Sequence, residues 1–284
     1  GDMAKLALFK PRVALVTAIG EVPAHVEYFA GPEDVAREKS KLVEVLDAND
    51  WAALNGDDYA VLEMKGKTKG RVLTFGFGAD LDLKASEYKL MYREGGGPEG
   101  LTFKMDYAGS SVPVRIIGSF GKQNVYAALA GAAVGITYGM NLVEISESIG
   151  KYKPPPGRLN LVEGEKETWI LDDTYNASPQ ATHAAIDVLR DLPAKRKIAV
   201  LGDMLEIGKF TIQSHQKVGD QLNGVADIVI TCGPRAKFIA KELSVEKVDA
   251  GSKLVDKAGQ TMGLIVTSVK QVADIMSEIT AASQ

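Results

Sequence analysis

Lys39 is the residue whose type and position point most directly to chemistry. A helix is predicted over about 33–46, and Val35, Leu42 and Val43 lie three or four positions from Lys39, inside the apolar stripe. A lysine on the buried side of a helix loses hydration, which favours its neutral amine. A neutral amine can add carbon dioxide, and the resulting carbamate is an anion that binds metals. The alternative is a lysine whose ammonium group reaches solvent at the edge of the stripe.

His25 lies in a loop that follows a short apolar run at 12–19, which predicts a buried strand. Loops at the carboxyl ends of strands are where α/β proteins build their sites. A neutral imidazole there is a candidate metal ligand, with Glu21 or Glu27 as neighbours. The alternative is a loop histidine that is hydrogen-bonded to the backbone.

Carboxylates also follow two predicted strands in the second half of the sequence. Asp172 and Asp173 come directly after a strand predicted at 169–171, and Asp203 follows one predicted at 197–201. Adjacent carboxylates at a strand end suit a ribose hydroxyl, a metal or a cationic amine. The alternative for the first pair is helix capping before Pro179.

The elements that would position these residues change in character along the chain. In the first half we predict strands at 12–19, 59–64, 71–77, 101–107 and 111–117, and helices at 33–46, 124–134 and 142–149. Three consecutive prolines, Pro154 to Pro156, then form a stiff connector. Beyond them, strands at 169–171, 197–201, 226–231 and 264–266 alternate with helices near 179–191, 211–223, 234–243 and 269–281. This alternation predicts a parallel sheet of Rossmann type.

Composition excludes several classes of protein. The formal net charge is -4, without the basic excess expected of a protein that coats nucleic acid. No stretch approaches the roughly 20 apolar residues of a membrane helix. Cys232 is the single cysteine, which excludes an intrachain disulfide and fits a reducing compartment.

Residues 118–124 resemble a phosphate loop, but the Gly-x4-Gly-Lys-Ser/Thr pattern occurs nowhere in the sequence. Asn124, at the predicted helix start, either caps the helix or hydrogen-bonds the edge of a purine base through its amide.

Two strings in the second half resemble the Mur ligase family: Asp-Asp-Thr-Tyr-Asn-Ala at 172–177 and Leu-Gly-Asp-Met-Leu-Glu at 201–206. The first half agrees in order, with Thr-Ala-Ile-Gly at 17–20, Asn-Gly-Asp-Asp at 55–58 and Gly-Lys-Gln-Asn at 121–124. The resemblance implies an α/β protein made of part of the central, ATP-binding domain (1–153) and the Rossmann-like C-terminal domain (154–284).

Within the family, these strings are most similar to the members that join D-alanyl-D-alanine to a UDP-N-acetylmuramoyl tripeptide. The resemblance therefore implies an ATP-dependent amide ligase of peptidoglycan synthesis. From composition and the single cysteine we expect a cytoplasmic protein with no nucleic-acid or membrane partner, and we expect a monomer. ATP would phosphorylate the peptide carboxylate, and the amine would then attack the acyl phosphate. Magnesium would offset the crowded negative charge.

The resemblance also implies roles for individual residues. Lys39 matches the lysine that the family carbamylates, and His25 matches its magnesium-binding histidine. Three positions match residues that contact ATP: Asn124, Arg158 and Asp172. Three more fall in the substrate-facing motifs: Tyr175, Asn176 and Asp203.

Some family features have no counterpart in these 284 residues. The glycine-rich phosphate loop and the N-terminal domain that binds UDP do not occur, so we expect this stretch to be inactive alone. Four motif positions carry unusual residues: Ala18, Gln123, Ala127 and Ser178. Two alternatives therefore stay open, a non-catalytic binding or scaffold protein and another ligase of the superfamily, such as a folylpolyglutamate or cyanophycin synthetase.

Overall fold

A computed structural model describes residues 3, 5, 8–164 and 168–243 of the chain. Its contacts divide the chain into two compact units. The first unit is Gly1–Pro193 together with Met204–Ser214, and the second is Ala194–Asp203 together with His215–Gln284. No helix within the described ranges combines the length and the apolar character needed to cross a membrane.

A six-stranded sheet forms the centre of the first unit, and its strands lie in chain order. They are β1 (Val13–Val16), β2 (Trp51–Asn55), β3 (Arg71–Gly76), β4 (Leu83–Tyr92), β5 (Pro98–Tyr107) and β6 (Ser110–Ile117). The first four strands pair in parallel, whereas β4, β5 and β6 form an antiparallel meander. Because β1, β2 and β3 are parallel, the loops that follow them emerge at one edge of the sheet.

Helices cover both faces of this sheet. They are α1 (Pro32–Glu44), α2 (Tyr59–Leu62), α3 (Lys122–Thr137) and α4 (Leu142–Gly150). Neighbouring residues of a strand point to opposite faces, and Ala53 accordingly packs in the core that includes α3, while Leu54 packs in the core that includes α1. Both cores are fully apolar at their centres, which makes the sheet a rigid support for the loops at its edge.

A hairpin and a helix follow the three prolines in the first unit, which also includes Met204–Ser214. The hairpin pairs β7 (Asn160–Glu163) with β8 (Trp169–Asp172) in antiparallel register, and α5 (Pro179–Asp191) follows it. Fully buried Phe120 packs against Val188 and Leu192, and Leu161 and Leu171 of the hairpin contact the same cluster. The hairpin and α5 therefore share an apolar cluster with Phe120, which lies between β6 and α3.

The second unit contains two parallel strands, β9 (Ile198–Leu201) and β10 (Ile228–Thr231). Two helices accompany them, α6 (Thr211–Leu222), whose first four residues are counted with the first unit, and α7 (Lys237–Lys241). The buried residues Val218, Val229 and Ile239 come from α6, β10 and α7, which gives this unit the strand–helix packing of an α/β domain.

Most of the elements predicted from the sequence are confirmed, but one strand is wrong. Residues 59–64 form α2 and the start of a 3₁₀ helix, not a strand, because the Asp58 carboxylate caps α2 by accepting the Val61 amide. The strand of this region is β2, which precedes that cap. The strand β4 was not predicted; it pairs with β5 across the glycine-rich turn at 95–97.

The second half also differs from the prediction in one respect. Trp169–Asp172 pairs antiparallel with β7, whereas the sequence predicted it in a parallel sheet. The strand predicted at 264–266 and the helix predicted near 269–281 lie outside the described residues. The domain boundary at 153/154 stays a prediction.

The Phe120 cluster yields a stability prediction. Phe120→Ala should lower the free energy of unfolding of the first unit by about 3–5 kcal/mol, because it empties a fully buried aromatic site. Chemical unfolding followed by circular dichroism measures this change. Tyr138→Ala removes an aromatic ring that is 63% exposed and should cost less than about 0.5 kcal/mol. Equal effects of the two substitutions would contradict the packing described here.

Candidate active site

The loop that follows β1 is tied to the end of β2. The Oδ2 atom of Asp58 accepts hydrogen bonds from the Ile19 amide at 2.7 Å and the Gly20 amide at 2.9 Å. Asn55 adds a third tie, because its Nδ2 donates to the Thr17 carbonyl at 2.8 Å. Gly20 has a φ of +74°, a left-handed conformation that favours glycine. Together these contacts fix the start of the loop that carries His25.

A second carboxylate at the same edge, Asp57, binds the loop that follows β3. It accepts the Phe77 amide at 2.6 Å, the Gly78 amide at 3.0 Å and the hydroxyl of Tyr126 at 2.8 Å. Burial raises the pKa of the Tyr126 hydroxyl, and the hydrogen bond to Asp57 and the negative charge of that carboxylate raise it further. Tyr126 therefore stays a neutral donor that joins α3 to the ends of β2 and β3.

His25 is exposed and has a left-handed φ of 65° at the start of the short 3₁₀ helix Val26–Tyr28. Its Nδ1 contacts the carboxylate of Glu206, a residue of the first unit. An ionised carboxylate only accepts hydrogen bonds, so Nδ1 carries the proton and Nε2 of a neutral ring keeps its lone pair. This is the arrangement in which a histidine can offer Nε2 to a metal.

Lys39 is half-buried on α1, one turn from buried Val35 and one turn from buried Val43. Its position agrees with the apolar stripe predicted from the sequence. Pro32 begins the helix, and Glu33 and Asp34 in the first turn favour its positive end. The role of Lys39 stays a proposal.

Asn124 uses its amide within its own turn. Its Nδ2 donates to the Phe120 carbonyl at 2.6 Å, next to the start of α3. The side chain is half-buried in the first turn of α3, but the N-cap of this helix is Gly121, so the interpretation of Asn124 as a cap is wrong. A contact between the Asn124 amide and a purine edge stays a prediction.

Arg158, Asp172 and Tyr175 come together through the β7–β8 hairpin. Asp172 accepts the Gly157 amide at 3.1 Å and both the amide and the hydroxyl of Thr174, at 3.1 Å and 2.7 Å. The Thr174 hydroxyl is the main cause that lowers the pKa of Asp172. The guanidinium carbon of Arg158 lies 4.0 Å from the ring centroid of Tyr175. A cation, an anion and an aromatic face therefore share one surface.

The remaining two predicted residues serve local structure. Asn176 is exposed, and its Oδ1 accepts the Ala177 amide at 2.9 Å. Asp203, in the second unit, accepts the Arg235 amide at 2.9 Å and the Ala236 amide at 2.7 Å, so it ties the loop after β9 to the loop after β10. Both side chains thus fix loops, and their roles in substrate binding stay predictions.

Sequence reasoning gave no role to Asp57, Asp58, Tyr126 or Glu206. The first two belong to the Asn-Gly-Asp-Asp string, so the string marked the place but not the hydrogen bonds. Tyr126 is one tyrosine among nine, and nothing in its neighbourhood distinguishes it. Within the described residues, no three His, Cys, Asp or Glu side chains are grouped so that they alone could hold a metal.

Two family models match the chain. The Mur ligase middle domain matches residues 1–133, and the glutamate ligase domain of the Mur ligases matches residues 157–280. The chain belongs to the Mur ligase family, which agrees with the resemblance drawn from the two strings at 172–177 and 201–206.

Curated relatives of this chain share one enzyme name within the family. The UDP-N-acetylmuramoyl-tripeptide–D-alanyl-D-alanine ligase of Haemophilus influenzae is 27% identical over 88% of this chain and 52% of its own length. The Escherichia coli ligase of the same name is 28% identical over 95% of this chain and 58% of its own length. The chain thus spans about half the length of the curated relatives that it matches.

Solved structures give the same result for the fold. MurF from Acinetobacter baumannii matches with a TM-score of 0.75 at 26% identity, over 85% of this chain and 51% of its own. MurF from Thermotoga maritima, solved in complex with ADP, matches with a TM-score of 0.73 at 28% identity, over 84% of this chain and 53% of its own. The α/β fold predicted from the sequence is confirmed.

The Tyr126–Asp57 hydrogen bond yields a prediction about pH. Tyr126→Phe should lower the free energy of unfolding by about 1 kcal/mol at pH 7 to 9, because the Asp57 carboxylate loses a donor. Since the folded pKa is raised above the ordinary value of about 10, ionisation above that pH favours the unfolded state. The advantage of the wild type should therefore be complete below about pH 10 and shrink as the pH rises through the folded pKa.

Urea unfolding of both proteins across this pH range measures the difference, and the other tyrosines and the lysines cancel in the comparison. An advantage that is absent at pH 8, or that grows above pH 10, would contradict the assignment of Tyr126 as a neutral donor.

Proposed function

We propose that this chain contributes part of the active site of an ATP-dependent amide ligase of peptidoglycan precursor synthesis. The reaction would join D-alanyl-D-alanine to a UDP-N-acetylmuramoyl tripeptide through an acyl phosphate. The observation that carries the proposal is the match to two MurF structures over 84–85% of the chain, one of which binds ADP. The chemistry is sensible because phosphorylation gives the unreactive carboxylate a good leaving group.

In this proposal some of the described residues contact the nucleotide and others contact the peptide and amine substrates. Arg158 and Asp172 would contact the nucleotide, the first through its guanidinium and the second through a carboxylate that the structure already keeps ionised. Asn124 would face the base from the start of α3. Tyr175, Asn176 and Asp203 would face the peptide and amine substrates. The hydrogen bonds that Asn176 and Asp203 accept from backbone amides are compatible with this, because those bonds fix the loops that carry the two side chains.

Magnesium would arrive with the nucleotide phosphates. Mg²⁺ usually takes only one or two protein ligands and completes its coordination with phosphate oxygens and water. His25, with Nε2 left available by Glu206, and a carbamate on half-buried Lys39 are the residues that would hold it. When bound, the ion would neutralise negative charge on the transferring phosphoryl group.

We also propose a cellular compartment and an oligomeric state for the protein. The single cysteine and the UDP-linked substrate favour the cytoplasm, and we propose that the protein works there as a monomer. The 284 residues contain no Gly-x4-Gly-Lys-Ser/Thr loop, so we propose that they do not cleave ATP alone.

The proposal is tested by ADP release from the natural protein that contains this chain. Release should require both the UDP-linked tripeptide and D-alanyl-D-alanine, and Lys39→Ala should reduce it roughly 100-fold or more, because an anion that organises charge at the reacting phosphate is lost. Lys41→Ala is the matched control, since Lys41 lies on the same helix and is paired with Glu38.

Three outcomes would count against the proposal. Release with glutamate-type amine acceptors instead of D-alanyl-D-alanine would indicate another ligase of the superfamily. Nucleotide binding without any release would indicate a binding or scaffold protein. Full activity of Lys39→Ala would contradict the assignment of a functional carbamate to Lys39.

A further inference from the structure

Arg158 is held in place by the backbone on both of its sides. Asp172 accepts the amide of Gly157, and Asp173 accepts the amide of Leu159, each at 3.1 Å. The Tyr175 amide donates to the Gly157 carbonyl at 3.2 Å and closes the loop. Leu159 is 2% exposed and has a φ of +51°, a strained conformation for a side chain of this size. Such strain persists where the surroundings over-determine a backbone.

The side chain of Arg158 has a less obvious support. The residue is exposed, and its guanidinium carbon lies 4.0 Å from the centroid of the Tyr175 ring, within the range of a cation–π contact. Tyr175 as a whole residue is 71% exposed, so it is not part of a core. An aromatic ring that is exposed on one side and covered by a guanidinium needs an explanation other than packing.

We propose that Tyr175 is a positioning residue that holds the Arg158 guanidinium ready for a nucleotide phosphate or ribose, an inference that rests on the function proposed above. A free arginine samples many rotamers, and stacking on a ring restricts them before the ligand arrives. Stacking occupies the face of the guanidinium and leaves the N–H donors at its edge free for an anion. Tyr175 thus acts on the nucleotide through Arg158. This positioning role does not depend on a direct contact between Tyr175 and the substrate.

Two substitutions separate the ring from the hydroxyl. Tyr175→Phe keeps the aromatic face and should therefore keep the Arg158 guanidinium on the ring. Tyr175→Leu keeps an apolar side chain of similar bulk but removes the face, and should release Arg158. Tyr175 is exposed, so neither substitution threatens the fold.

The stack is tested first without any ligand, by NMR of the arginine side-chain Nε–H groups in the 284-residue chain. A guanidinium over a ring is shifted by the ring current, so the Arg158 signal should be displaced in the wild type and in Tyr175→Phe and return to the position of a free arginine in Tyr175→Leu. Arg93, which lies 5.7 Å from the ring of Trp169, is the internal control and should not move. An Arg158 signal that is identical in all three proteins would overturn the proposal.

The consequence is tested by calorimetric titration of ADP into the natural protein that contains this chain. Tyr175→Leu should weaken ADP binding roughly two- to five-fold, the effect expected of one exposed cation–π contact, and Tyr175→Phe should not change it. Arg158→Ala should weaken binding further, and adding Tyr175→Leu to Arg158→Ala should have no additional effect, because Tyr175 acts through Arg158.

The outcomes distinguish this inference from the function on which it rests. A wild type that binds no ADP contradicts the proposed function and this role with it. A wild type that binds ADP, with Tyr175→Leu binding equally well or adding its loss to that of Arg158→Ala, contradicts the role of Tyr175 alone.

Discussion

The hydrogen bonds that the Asp58 carboxylate accepts from Ile19 and Gly20 are the constraint on which the candidate site depends. They join the loop after β1 to the end of β2, and the same carboxylate caps α2. Without them the loop that leads to His25 would have to satisfy its amides elsewhere, and its path would not be fixed by the sheet. The parallel register of β1 and β2 makes this contact possible, because it brings both strand ends to one edge.

The chain uses its acidic residues in a consistent way. Asp57, Asp58, Asp172, Asp173 and Asp203 each accept backbone amides from a loop remote in sequence. A carboxylate that accepts amides shapes the loop and also brings a negative charge to the strand end. Exposed motif residues include His25, Arg158 and Tyr175. Acidic residues thus shape the loops that carry these exposed basic and aromatic side chains.

The extent to which the sequence predicts the fold depends on how strong its local signals are. Helix α1 was predictable because Pro32, an acidic first turn and a regular apolar stripe all agree. Strand β2, Trp-Ala-Ala-Leu-Asn, was missed because it contains no β-branched residue. The run at 59–64 is apolar and short enough to suit either structure, and the cap at Asp58 decides for a helix.

The site was predictable as a set of residues but not as an arrangement. The family resemblance marked Arg158 and Asp172, which lie 14 positions apart in the sequence. Their proximity follows from the antiparallel register that pairs Asn160 with Asp172, a long-range pairing that no local pattern indicates. The contacts of Glu206 with His25 and of Tyr126 with Asp57 depend on tertiary packing in the same way.

Amide hydrogen exchange in Asp58→Ala tests the central constraint most directly. The account predicts that the Ile19 and Gly20 amides exchange roughly ten- to hundred-fold faster than in the wild type, the effect of losing a hydrogen bond to a charged acceptor. Amides in the middle of β5, such as that of Phe103, should keep their wild-type rates. Unchanged exchange at Ile19 and Gly20, with the loss of Asp58 confirmed, would contradict the account.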